Sequence, residues 1–224
     1  MGLFDLFKKP SVTPPASTGP YQEPSANLIY QLLFCDNLDL YRAQVQAPFQ
    51  YPFDVLFSET SSVTDLQKLI DDREAESRIK ILAYNRQLAS GRQPAKKELL
   101  AIIVEVGLDQ GLDVLASFSD GTARYINQTG KLIIWELANE TSRQLTADLF
   151  MKSQQIVEKI GVWDQVRRPW PTRGNLRISF LVSDGLYFGE GPMNVLFNDS
   201  LAGPALNSAA ELMRYLTEIA MEKK

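Results

Sequence analysis

Between Glu98 and Leu137 the chain reads ELLAIIVEVG, VLASF, ARYIN and KLIIWEL, with GLDQG, SDG and QTG between them. Short segments rich in β-branched and aromatic residues, separated by glycine turns, describe an antiparallel meander of four strands. Connections this short cannot carry a crossover to a parallel neighbour. The unbroken apolar runs AIIV and LIIW point to strands covered on both faces, or central in the sheet. Further on, LRISFLV alternates Leu176, Ile178, Phe180 and Val182 against Arg177, Ser179 and Ser183, the pattern of a strand with one buried face. Asp184-Gly185 then turns the chain into LYFG as a hairpin. The expected fold is α+β: a mainly antiparallel sheet of about six strands, a four-strand meander plus a hairpin, packed with helices.

The helices are legible from caps and periodicity. Ser25 is placed to cap a helix carrying Leu28, Ile29, Leu32 and Leu33. Ser62 with Asp65, and Asp71 with Glu74, mark two further starts. One unbroken helix would bring Arg73 and Ser77 onto the stripe of Leu66 and Ile70, so a break is expected near Asp71. PFQYPFDVLF, with Phe49, Tyr51, Phe53 and Phe57, reads as a satellite aromatic cluster or an exposed contact. A helix from about 145 to 160 and a final one opening at Pro204 complete the set. The chain divides into residues 1–9, an amphipathic peptide; 10–24, a proline-rich linker; and 25–224, a single α+β domain. Within that domain 25–93 is mostly helical and 98–224 holds the sheet and two helices.

The segments DGTARYINQTGKLIIWE (Asp120 to Glu136) and DGLYFGEGP (Asp184 to Pro192) resemble a group of uncharacterised bacterial proteins sharing an SDG-ARYIN-GK-IWE hairpin and a GL-FGEGP turn. The resemblance implies a bacterial origin and brings no activity and no catalytic residue.

Composition removes whole classes of chemistry. The chain has no histidine, which excludes Ser-His-Asp and Cys-His nucleophile systems and paired-histidine metal helices. Its one cysteine, Cys35, excludes an internal disulfide and a cysteine-rich zinc site, and its apolar surroundings suggest a buried, inert thiol in a reducing cytoplasm. A net charge of −4 argues against nucleic-acid binding. No apolar run reaches the roughly 20 residues of a membrane span, and the first residues fit neither a signal peptide nor a myristoylation site. No cofactor is indicated: Gly185, Gly189 and Gly191 do not make a dinucleotide fingerprint, and Gly130-Lys131 lacks the upstream glycine of a phosphate loop.

Four groups of residues remain as candidates. In VWDQVRRPWPTRGNLR, Trp163, Arg167, Arg168, Trp170 and Arg173 combine the residue types enriched at interface hot spots and suit a protein partner carrying acidic groups. Gly189, Glu190 and Gly191 form a candidate ligand loop, with Glu105, Asp109, Asp113 and Asp120 as further carboxylates. Ser77 and Lys80 have the spacing of a serine-lysine nucleophile pair, on what reads as a solvated helix face. At the start, Leu3, Phe4, Leu6 and Phe7 share one side of a helical wheel opposite Asp5, Lys8 and Lys9, a peptide suited to a partner, to docking on the body, or to weak peripheral contact at the inner membrane face. These features together describe a non-catalytic bacterial protein-binding, regulatory or accessory factor. A histidine-free carboxylate hydrolase or transferase and a small-ligand binding module are the alternatives.

Overall fold

The computed structural model describes residues 19–222; the amphipathic peptide 1–9 lies outside them. The described chain is α+β. Its elements run α1 (Pro24–Leu32), α2 (Leu38–Arg42), α3 (Phe53–Phe57), α4 (Val63–Asp71) and α5 (Ser77–Ala89), then β1 (Leu99–Gly107), β2 (Leu112–Phe118), β3 (Ala123–Ile126) and β4 (Leu132–Trp135). After these come α6 (Glu140–Val157), β5 (Asn175–Val182), β6 (Gly185–Pro192), α7 (Met193–Asn198) and α8 (Ala202–Glu222). The six strands form one antiparallel sheet in the order β4-β3-β2-β1-β5-β6, a meander on one side of β1 and the β5–β6 hairpin on the other.

Pleating divides the sheet's side chains between two cores. Leu100, Ile103, Val114, Ala116 and Phe118 meet Tyr30, Leu69 and Leu82 from α1, α4 and α5. Ile102, Val104, Leu176, Ile178 and Phe180 meet Leu149 of α6 and Leu206, Ala209 and Leu212 of α8. Helices thus cover both faces, and this corrects the reading of β5 as buried on one face alone. Its polar residues Arg177 and Ser179, and Ser183 just after it, are also buried, at 2%, 1% and 0% exposure. The expectation for LIIW is corrected too: β4 is an edge strand and Ile134 is 54% exposed, because nothing follows it in the sheet order.

Several boundaries moved, for reasons of hydrogen bonding. The break near Asp71 is present, with residues 72–76 between α4 and α5. α6 begins at Glu140, ahead of 145, because Asn139 and Ser142 exchange a capping box. α8 begins at Ala202, ahead of Pro204, because the Asp199 carboxylate accepts from the N–H groups of Leu201 and Ala202. α1 starts at Pro24, and Tyr21, read as part of the linker, is 2% exposed and donates to the Leu112 carbonyl. Of the aromatic cluster, Phe49 and Phe53 pack ring to ring on buried Phe57, while Tyr51 stays 56% exposed and donates to Asp72.

α5 has no side-chain cap of its own. Its N-terminus is capped from the sheet: the Ser77 N–H donates to Asp120 Oδ2 at 2.7 Å, and Ser77 Oγ accepts from the Asp120 N–H at 3.0 Å. Desolvation opposes the charge on Asp120, but the N–H groups of Ser77 and Thr122 outweigh it and hold the carboxyl below the usual carboxylate range. Asp120→Ala should cost about 1 kcal/mol in urea unfolding at neutral pH. A depressed carboxylate stabilises above its unfolded value of about 3.9 and ceases to do so as pH falls through its folded value. The difference between wild type and variant should therefore close below about pH 4; a difference that persists undiminished in acid would contradict the cap.

Candidate functional site

Residues 158–174 connect α6 to β5 and run as a strap over the β5–β6 side of the sheet, and they hold all five of the aromatic and arginine candidates. The strap is tied down from within. On the strand face beneath it, Glu105, Arg177 and Glu190 stand in one cross-strand row, directly opposite one another on β1, β5 and β6. Arg177 donates from Nε to Glu190 Oε2 at 3.0 Å, from Nη1 to the Arg168 carbonyl at 3.2 Å and from Nη2 to the Pro169 carbonyl. Glu105 Oε2 lies 3.7 Å from Arg177 Nη1, and Glu105 Oε1 accepts from the Tyr30 hydroxyl at 2.6 Å. Burial pushes the Glu105 carboxyl above the usual range, against the opposing pull of the Tyr30 hydroxyl and Arg177. The planar fork of arginine suits this task, since one guanidinium reaches a carboxylate and two carbonyls that a lysine could not bond at once.

Further ties fix the strap's edges. Trp163 bridges to β6, its N–H donating to the Leu186 carbonyl at 2.7 Å, and its ring meets Phe188 edge-on at 5.1 Å. Arg167 turns inward: Nε donates to Asp36 and Nη2 to Gln31, both at 2.7 Å, and the guanidinium sits 3.8 Å over the Phe34 ring. At the far end the Gly174 N–H donates to the Gly107 carbonyl at 2.9 Å. What faces outward is Val166 (90% exposed), Trp170 (39%), Arg168 stacked over Trp163 and Phe188, and Arg173 in an exposed pair with Asp109. The five candidates therefore split: Trp163 and Arg167 are anchors, and Arg168, Trp170 and Arg173 form the accessible surface.

The candidate ligand loop is corrected. Gly189, Glu190 and Gly191 belong to the edge strand β6 and are paired to Ile178, Arg177 and Leu176, so they form a strand and not a loop. Added Cβ atoms would meet Ile178 at 4.0 Å and Leu196 at 3.7 Å, ordinary contacts that leave no glycine-dependent cradle. Glu190 and Glu105 do converge, but on Arg177, which occupies the space between them. The pair holds a loop instead of flanking a substrate bond. Ser77 spends its hydroxyl on Ser119 and Asp120.

Two groups escaped sequence reasoning. The partnership of Glu105 with Arg177 carried a usable signal, a charge inside the apolar run AIIVEV of a central strand, which needs an opposite charge when buried. The contact of Ser208 with Lys152 at 2.8 Å, both bonded to Asp148, gave none, because the residues lie far apart in the chain. There Lys152 Nζ lies 2.6 Å from Asp148 and 2.8 Å from Ser208, which clamps α6 to α8. Cys35 is 1% exposed, and burial pushes its thiol up to about 12. Among the described residues no three acidic or thiol side chains gather where they could hold a metal ion, and no helix is long and apolar enough to cross a membrane. Neither a protein-family model nor a curated protein matches the chain.

Proposed function

We propose that this chain is a non-catalytic accessory or regulatory factor of the bacterial cytoplasm that binds another protein through the outer surface of the 158–174 strap. The observation that carries this reading is the contrast between the strap's two sides. Its inner side is bonded to a buried arginine, while its outer side holds Val166 and Trp170 in solvent. A large aromatic presented on a backbone already fixed loses little freedom on binding, which is how interface anchors gain their effect. The complementary partner is a protein surface with an apolar recess for Trp170, flanked by carboxylates for Arg168 and Arg173. The Arg173–Asp109 pair is exposed and gives little resistance to such an exchange.

Affinity capture with the full chain, followed by titration of the captured protein, tests this. Trp170→Ala with Arg168→Ala should weaken binding by at least about 2 kcal/mol, roughly 30-fold in Kd. Both side chains point outward, so the melting temperature should stay near that of wild type. A partner bound equally well by the variant would remove the strap from the interface.

A further inference from the structure

The sheet ends in two edge strands, β4 and β6, and the chain guards them unequally. On β6 the Leu186 carbonyl accepts the Trp163 N–H, a charge stands at Glu190, and Pro192 closes the strand. β4 carries none of these devices. From Leu132 to Trp135 it has no charge, no proline and no break in register, and Ile134 is 54% exposed.

Hydrogen-bond parity fixes which backbone groups β4 presents. The Asn127 N–H donates to the Lys131 carbonyl at 2.9 Å, which makes Asn127–Lys131 a bonded pair, and by alternation Tyr125–Ile133 and Ala123–Trp135 are bonded pairs too. The residues between them, Leu132 and Ile134, turn their N–H and C=O groups away from β3, toward the side where the sheet ends. A projection and a hollow lie at opposite ends of this strand. Leu137, just past its C-terminal end, is 87% exposed. At its N-terminal end a hollow of about 440 Å³ opens beneath the last turns of α8, with Lys131, Ile133, Ala220 and Met221 in its wall.

We infer that this edge receives β4 of a second copy of the chain, added antiparallel about a two-fold axis that passes through the sheet beside Ile134. Three features are complementary to themselves in that arrangement. The outward backbone groups match: Ile134 and its counterpart exchange N–H···O bonds, and Leu132 of each copy bonds Glu136 of the other. The charges match, because Lys131 precedes the strand and Glu136 follows it. Antiparallel addition sets the positive end of one strand beside the negative end of the other, whereas parallel addition would set like beside like. The shapes match as well: this register brings Leu137 of each copy opposite Lys131 of the other, at the mouth of the hollow, so each copy supplies the apolar side chain that fills its partner. Such a contact is isologous and closes on itself as a dimer. It joins two sheets edge to edge and leaves the 158–174 straps, on the β6 side, at the far ends.

Sedimentation and amide hydrogen exchange of the full chain, both from about 1 to 100 μM, test the inference. As the dimer forms, the Leu132 and Ile134 amides should slow by about tenfold or more, while those of Ile133 and Trp135, bonded to β3, stay protected at every concentration. Ile134→Lys sets like charges opposite each other across the axis and should abolish the dimer; Leu137→Ser should weaken it by about tenfold. Protection at Ile133 and Trp135 checks that the sheet of each variant is intact. Because Ile134 meets its own counterpart, mixing Ile134→Lys chains with Ile134→Glu chains should restore dimers that neither forms alone. A wild-type chain that remains monomeric over this range would overturn the inference. So would a dimer whose Leu132 and Ile134 amides exchange freely, a dimer indifferent to both substitutions, or a mixture no more dimeric than its components.

Discussion

Replacing Arg177 with methionine is expected to destabilise the protein by about 3–5 kcal/mol, the range found when one partner of a buried ion pair is removed. Methionine keeps much of the side-chain volume, so the loss is not one of packing. It leaves Glu105, at 0% exposure, without its countercharge, and it strips donors from the carbonyls of Arg168 and Pro169. In a chain of this size the melting temperature should fall by roughly 10 °C. The pH dependence follows from Glu105, whose folded value already lies above its unfolded value of about 4.3 because of burial. A group raised in this way favours the native state below its unfolded value and ceases to do so as pH rises through its folded value. Loss of the arginine raises it further, so the gap between wild type and variant should be widest at neutral pH and narrow on acidification. Adding Glu105→Gln to Arg177→Met should recover part of the loss at pH 7. A single variant less than about 1 kcal/mol below wild type would show that the row of charges does not hold the strap.

The second large effect is predicted for Gly107→Ala at the end of β1. The backbone there is ordinary for any residue; the constraint is proximity. A Cβ would stand 2.2 Å from the Thr172 carbonyl oxygen and 2.7 Å from that of Pro171, and these are backbone atoms that cannot rotate aside. Either the strand or the strap must move, at a cost of about 1–3 kcal/mol. The strap is the weaker of the two, so the hydrogen bond from the Gly174 N–H to the Gly107 carbonyl should open. Hydrogen exchange at Gly174 should accelerate while the β1–β2 ladder keeps its protection, and affinity for the captured partner should fall although Trp170 is unchanged. An unaltered Gly174 amide would mean that the strap is not seated on β1.

What could be read from the sequence was local. The meander and the hairpin were visible because glycine turns and β-rich runs are adjacent in the chain, and the alternation of Leu176, Ile178, Phe180 and Val182 correctly gave the face of β5 that meets α8. What alternation could not show is that the other face is buried as well. A strand with arginine and serines on one side looks half-exposed until a helix from elsewhere, carrying Tyr30, is laid over it. The same limit applies to GEGP. Two glycines around a glutamate suggest a pliant loop, and only the register opposite Ile178, Arg177 and Leu176 makes it a strand. The strap was identified by its unusual density of arginine and tryptophan, but the division into anchors and outward-facing residues depends on Asp36, Gln31 and Phe34, over 130 positions away in the sequence.

The capping of α5 from the β2–β3 turn has a consequence for synthesis. Helices α1, α4 and α5 leave the ribosome before any of the strands they cover, and the contacts that complete them join Ser77 to Asp120 and Tyr30 to Glu105 across 43 and 75 positions. Until those strands emerge, Leu69, Leu82 and the other apolar residues of that face have nothing to pack against. Contacts of such separation slow folding and prolong the exposure of sticky intermediates. The nascent first half should therefore be a client for chaperones that hold hydrophobic segments, and a fragment ending near residue 93 should fail to accumulate as an independent module.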